Sequence, residues 1–168
     1  MNPLPWINPY RGLERSESGA VVVEFSFVLL PLFVLLLFCI NVAWAVFARA
    51  TLQNAVREGV RFAITGQTIA GNGCLGSSVQ QVVAQNSFGF VPANQASTYV
   101  SVSYYSPTNL APVTGSGGPA GGNVVQVSVS GVAVSPLAAI LSAASPIPLS
   151  AVASDVMESP PNGVAPCP

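Results

Sequence analysis

From Phe25 to Ala48 the chain carries no charged residue, and this run constrains the fold more than any other stretch. It extends back to Gly19 with one interruption, the carboxylate of Glu24. As a helix rising about 1.5 Å per residue, residues 25–48 would be about 36 Å long, enough to cross a hydrocarbon core of about 30 Å. Only helices and closed barrels satisfy their backbone groups in lipid. The run lacks the period-two alternation of a barrel strand, so a helix is expected. Pro31 lies inside it and predicts a kink rather than a break, because membrane helices tolerate proline.

Glu24 is the unusual residue. An unpaired carboxylate in lipid costs several kcal/mol, so it must be wetted, neutralised or functional. One reading places Glu24 at the interface end of the span, within reach of water. The other follows from a cut after Gly19. Ala20 would then carry a cationic amine, and Ala20 and Glu24 stand in an i, i+4 relation on one helix face. The carboxylate would neutralise that amine, in its own chain or in a neighbour, and would complement the helix dipole in the first turn.

The stretch Gly19-Ala20-Val21-Val22-Val23-Glu24-Phe25 resembles the processing site of type IV pilin-like precursors: a glycine, a cleavage point, a glutamate at the fifth mature position, an aromatic residue and an apolar helix. Together with Leu52–Ala63, which contains Arg57-Glu58-Gly59-Val60-Arg61, it resembles the TadE-like family, pseudopilins of the Tad (Flp, tight-adherence) pilus machinery. The segment Val125–Glu158 is similar to the family's C-terminal part, with a strand, a Ser-Pro-Leu turn, a short helix and a last strand ending at Met157-Glu158. The resemblance implies a processing site at Gly19, Ala20, Glu24 and Phe25, cut by a prepilin peptidase. It also implies a subunit that meets other Tad/Flp pilus subunits and inner-membrane platform proteins, supporting pilus assembly and so surface adhesion. Glu24, Arg57, Glu58 and Arg61 are the candidate assembly residues, in a homo- or hetero-oligomer. For the two arginines and Glu58, a plain solvated face is the competing reading.

Composition narrows the alternatives. The 168 residues suit one span and one small domain; 51% are hydrophobic and only 7% charged. A net charge of −1 offers no footprint for nucleic acid. Of the three cysteines, Cys39 lies inside the span and reads as a small apolar residue. Cys74 and Cys167 would share an exported compartment where disulfides persist, and they are the disulfide candidates. Chemistry is sparse. There is no histidine, so no histidine-based triad, base or metal site exists, and two cysteines cannot build a four-ligand zinc site. Asp155 and Glu158 read as isolated surface carboxylates. The glycine run 115–122 lacks the lysine and helix of a phosphate loop. Neither an enzyme nor a cofactor is expected.

Residues 1–19 read as a proline-containing leader without hydrophobic periodicity, which the resemblance places on the cytoplasmic side. Residues 20–48 form the span and 49–66 a helical stalk, in which Leu52, Ala55, Val56, Val60 and Ala63 recur at helical spacing until Gly66 ends the helix. Residues 67–158 form an extracytoplasmic head. In it a short helix is expected, capped by Ser77 or Ser78 in a capping box with Gln80 or Gln81. A strand over Thr98–Tyr105 follows, with Val100, Val102 and Tyr104 on one face. The second strand covers Val124–Val134 with Val125, Val127 and Val129 inward, one or two helical turns lie in Pro136–Leu141, and the last strand is Leu149–Met157. The sum is an α+β, pilin-like fold: a long N-terminal helix, a small helix and an antiparallel sheet of about three strands. Residues 159–168 are a proline-rich tail. Arg11 and Arg15 precede the span while Arg49, Arg57 and Arg61 follow it, so charge does not orient it. The resemblance implies a bacterial inner-membrane protein, N-terminus cytoplasmic and head periplasmic. Two alternatives remain: an anchored single-pass binding module, and a secreted protein cut after Ala43-Trp44-Ala45, for which the apolar run is too long and Glu24 has no purpose.

Overall fold

The computed structural model describes residues 17–71, 73–135 and 145–158. Its elements are helix α1 (Glu17–Ile64), helix α2 (Leu75–Asn86), a short helix α3 (Ala96–Tyr99), and strands β1 (Val100–Tyr105), β2 (Pro112–Val113), β3 (Val124–Val134) and β4 (Ile147–Val156). Single 3-10 turns occur at Ala93–Gln95 and Gly115–Gly117. The chain divides into two units between Asn41 and Val42.

The first unit is helical wherever it is described. Pro31 sits inside α1 without ending it. The polar side chain of Ser26 is satisfied within the helix, its Oγ donating to the Val22 carbonyl at 2.7 Å. Such back-bonding lets a hydroxyl sit in an apolar run without an orphaned donor. From Gly19 through Asn41 no residue is buried. The element is long and apolar enough to cross a membrane.

The second unit holds the core. On α1, Ala48, Leu52, Ala55, Val56, Val60 and Ala63 are buried, a three- and four-residue recurrence that gives one apolar face. They share a cluster with Leu75, Val79 and Val83 of α2 and with the inward valines of the sheet. Each fully buried Val or Leu contributes about 1.5–3 kcal/mol, so this cluster dominates the stability of the unit. Gly66, at φ 64, ends α1 as the periodicity predicts. The orphaned Ile64 carbonyl accepts the Glu158 backbone N–H at 3.2 Å, which ties the end of the last strand to the end of the helix.

The sheet has order β2-β1-β3-β4 and every pairing is antiparallel. The α+β reading therefore stands, with four strands where about three are expected. The added strand is β2, two residues inside what reads as a turn-rich loop, paired through Tyr104 with Val113 and Tyr105 with Pro112. Its proline is tolerated because β2 is an edge strand. Other boundaries shift. The residues Ala96–Tyr99, expected partly as strand, form a helical turn, so β1 starts at Val100. The last strand runs Ile147–Val156 rather than Leu149–Met157. Helix α2 begins at Leu75, so the expected capping boxes are absent: Ser77 and Ser78 already lie in the first turn and donate back to the Cys74 carbonyl at 3.1 and 2.8 Å. Ser78, fully buried, also accepts the Ile69 N–H at 3.0 Å and so anchors the loop after α1. The helical turns expected in Pro136–Leu141 lie outside the described residues.

Strand β3 changes phase in mid-course. Val125, Val127 and Val129 are buried as expected, but the next buried positions are Val132 and Val134. The pairing jumps from Val129–Ala151 to Val132–Leu149, placing one extra residue on β3, and Gly131 takes φ 78 there. This is a β-bulge with a glycine at the positive-φ position, and it switches the inward phase from odd to even.

Candidate functional site

In the first unit, Gly19, Ala20, Glu24 and Phe25 all lie on the early turns of α1 and all are exposed. A Cβ added at Gly19 would meet nothing within 4 Å, and Gly19 has no positive φ. Packing and backbone conformation therefore do not require glycine at this position.

In the second unit, Arg57 and Arg61 are exposed and one helical turn apart, while Glu58 is half-buried. With Arg49 and Gln53 they form a stripe at four-residue steps along α1. Gln53 donates through Nε2 to the Val152 carbonyl of β4 at 3.2 Å. Strand β4 is an edge, and this amide covers one of its free carbonyls while the arginines stay in solvent. Arg57 and Arg61 thus share a surface; Glu24 belongs to the other unit.

The glycine between them has a different task. A Cβ at Gly59 would overlap the Val83 Cγ2 methyl and stand 3.7 Å from Cγ1 of Val127. Gly59 is where α2 and β3 approach α1, so the Arg-Glu-Gly-Val-Arg segment is half surface and half core. Sequence reasoning did not single out Gly59 or Gln53. The signal for Gly59 was a glycine inside a helix of good formers, a position that costs about 1 kcal/mol unless something needs the space.

Cys74 is disulfide-bonded and Cys39 is a free, exposed thiol. Cys167, the expected partner of Cys74, lies outside the described residues. An open groove of about 540 Å³ lies beside the start of α2 and strands β1 and β2, lined among others by Leu75, Gln80, Tyr104, Tyr105 and Pro112. Among the described residues that line it, the titratable groups are the two phenols, and burial raises that of Tyr104 above its usual range. Among the described residues no group of three or more His, Cys, Asp or Glu side chains is placed to hold a metal.

The apolar helix with an exposed Gly-Ala-(Val)3-Glu start, and the arginine stripe further along it, fall in one segment. Residues 19–61 match the family model of TadE-like proteins. The match begins at Gly19 and ends at Arg61, so this TadE-like segment contains both sequence motifs and nearly all of α1. The segment Val125–Glu158, expected to resemble the family's C-terminal part, lies beyond the matched residues. No curated protein and no solved structure matches the chain.

Proposed function

We propose that the chain is a TadE-like pseudopilin, a minor pilin-like subunit that supports assembly of a Tad/Flp pilus and, through it, surface attachment. The observation that carries this reading is the position of Gly19. The TadE-like segment starts there, Glu24 stands four positions after Ala20, and nothing among the described residues demands a glycine. A demand from outside the fold, such as a peptidase that admits only a minimal side chain, accounts for it. On this reading a prepilin peptidase cuts after Gly19, the new amine of Ala20 pairs with Glu24, and α1 holds the protein in the bacterial inner membrane. The leader is cytoplasmic and the head periplasmic, where Cys74 and Cys167 pair. Arg57 and Arg61, with Glu58, contact other pilus subunits or the membrane platform. The protein has no enzymatic role. Uninterrupted helix through Ala43-Trp44-Ala45 favours this reading over a secretory cut after Ala45, since that cut would sever α1 just before its buried face begins at Ala48.

Intact mass and N-terminal sequencing of the protein from its native membrane test the proposal. A start at Ala20 is expected, and Gly19→Arg should leave the precursor uncut. A start at Met1 would leave an anchored module, and a start at Val46 a secreted protein.

A further inference from the structure

We infer that the turn after α2 is a lipid-contacting foot: Phe88, with Trp44 and Phe47, seats the second unit on the headgroup boundary of the membrane that α1 crosses. This rests on the membrane reading of α1 and adds a second point of contact with the bilayer.

The turn is built to expose an aromatic ring. Ser87 accepts the Phe90 N–H at 3.1 Å, and the two residues between them, Phe88 and Gly89, have φ 51 and 84. Positive φ at both central positions is the signature of a type I′ turn, which favours Asn-Gly and strains a bulky side chain at the first position. Here that position holds phenylalanine, and the residue is 83% exposed. The strain is held by Ser87, fully buried, whose Oγ donates to the Ala84 carbonyl at 2.7 Å and accepts the Val91 N–H at 3.1 Å. A soluble surface gains nothing from a strained, exposed phenylalanine, so a partner for the ring is implied.

Its neighbours identify the partner. Phe47 meets Phe88 edge-on at 6.5 Å between centroids and stacks on Trp44 at 5.7 Å, and Phe90 lies 5.9 Å from Trp44. Trp44 and Phe47 end the run of residues 19–47, in which none is buried; Ala48 is the first that is. As helix this run measures about 43 Å, close to the ~40–45 Å of a bilayer with its headgroup regions. With the start of the run at one boundary, Trp44 and Phe47 fall at the other, the level at which tryptophan is enriched in membrane proteins. Phe88 and Phe90 extend this aromatic belt away from α1. No charged residue occurs between Arg61 and Asp155, so the turn enters the boundary without desolvating an ion, while Arg49, exposed just beyond the belt, reaches lipid phosphates. Continuity with the membrane-spanning surface favours lipid over a second copy of the chain.

The test uses the full chain in lipid nanodiscs, with Trp6→Phe, Trp44→Phe and Phe88→Trp making residue 88 the sole indole. Quenching by lipids spin-labelled at the headgroup level is expected to exceed quenching from the bilayer centre by about threefold or more, with blue-shifted emission. Emission of a water-exposed indole, unquenched by either label, would overturn the proposal. Blue-shifted but unquenched emission would do so too, showing that protein covers the ring. A control carrying Leu35→Trp with Trp6→Phe and Trp44→Phe, Phe88 retained, separates the two readings. If it is quenched from the bilayer centre while residue 88 is not, only the foot fails; if it is unquenched, the membrane span fails and the foot with it.

Discussion

Two glycines of the TadE-like segment show how differently one residue type is used. Gly59→Ala forces a methyl into Val83. Overpacking costs about 1–3 kcal/mol and improved helix propensity returns about 1 kcal/mol, so thermal denaturation should show a net loss of roughly 1 kcal/mol. Gly19→Ala meets open space and should show no such loss. Tyr104 provides a pH signature. Burial raises its folded pKa above the unfolded value near 10, so the folded state holds the proton more tightly. The resulting stability is fully present below pH 10 and is lost as pH rises through the folded pKa, where the native phenol also ionises. Alkaline titration of the unfolding transition should show this falling limb, and Tyr104→Phe should flatten it. The apolar spacing of Leu52, Ala55, Val56, Val60 and Ala63 was legible in the sequence, since a helix face is a local property. The need for a glycine at 59 was not, because Val83 and Val127 reach it only after folding.

At the scale of elements, the strands show both the reach and the limit of local pattern. Alternation located β1 and β3, because a half-buried strand must alternate, and the prolines at 146 and 148 bounded β4. It could not anticipate the bulge at Gly131, whose extra residue is meaningful only against the register of β4, nor the two-residue β2, too short to show a period. Helix α2 was legible as a helix, yet its start was misplaced: Ser77 and Ser78 have the composition of a cap, but the turn that precedes them is fixed by the tie from Ile69 to Ser78. The turn after α2 depends on one hydroxyl. Ser87→Ala leaves the buried Val91 N–H without its acceptor, a loss of about 1–3 kcal/mol. Chemical denaturation should register that loss, and amide exchange should rise first across residues 87–91.

For the whole molecule, the proposed division of labour is between a membrane-spanning part of α1 and a second unit whose exposed arginines, on the stalk part of α1, serve assembly. Arg57→Glu combined with Arg61→Glu reverses exposed charge without touching the core. It should change stability by no more than about 0.5 kcal/mol. Processing should stay normal while co-purification of other pilus subunits falls; unchanged co-purification would return the stripe to a plain solvated face. By itself the sequence determined the long helix, its membrane-spanning length, the glycine-to-glutamate motif, the absence of histidine chemistry and the α+β class. Each of these follows from composition or from a period read within a few consecutive residues. Only the tertiary structure decided that Gln53 reaches the edge of β4, that Gly59 is the meeting point of α1, α2 and β3, and that Phe88 joins Trp44 and Phe47 in one aromatic belt. Those are contacts between residues about 20 to 100 positions apart, set by closure of the chain on a shared core rather than by local preference, so no local pattern announces them.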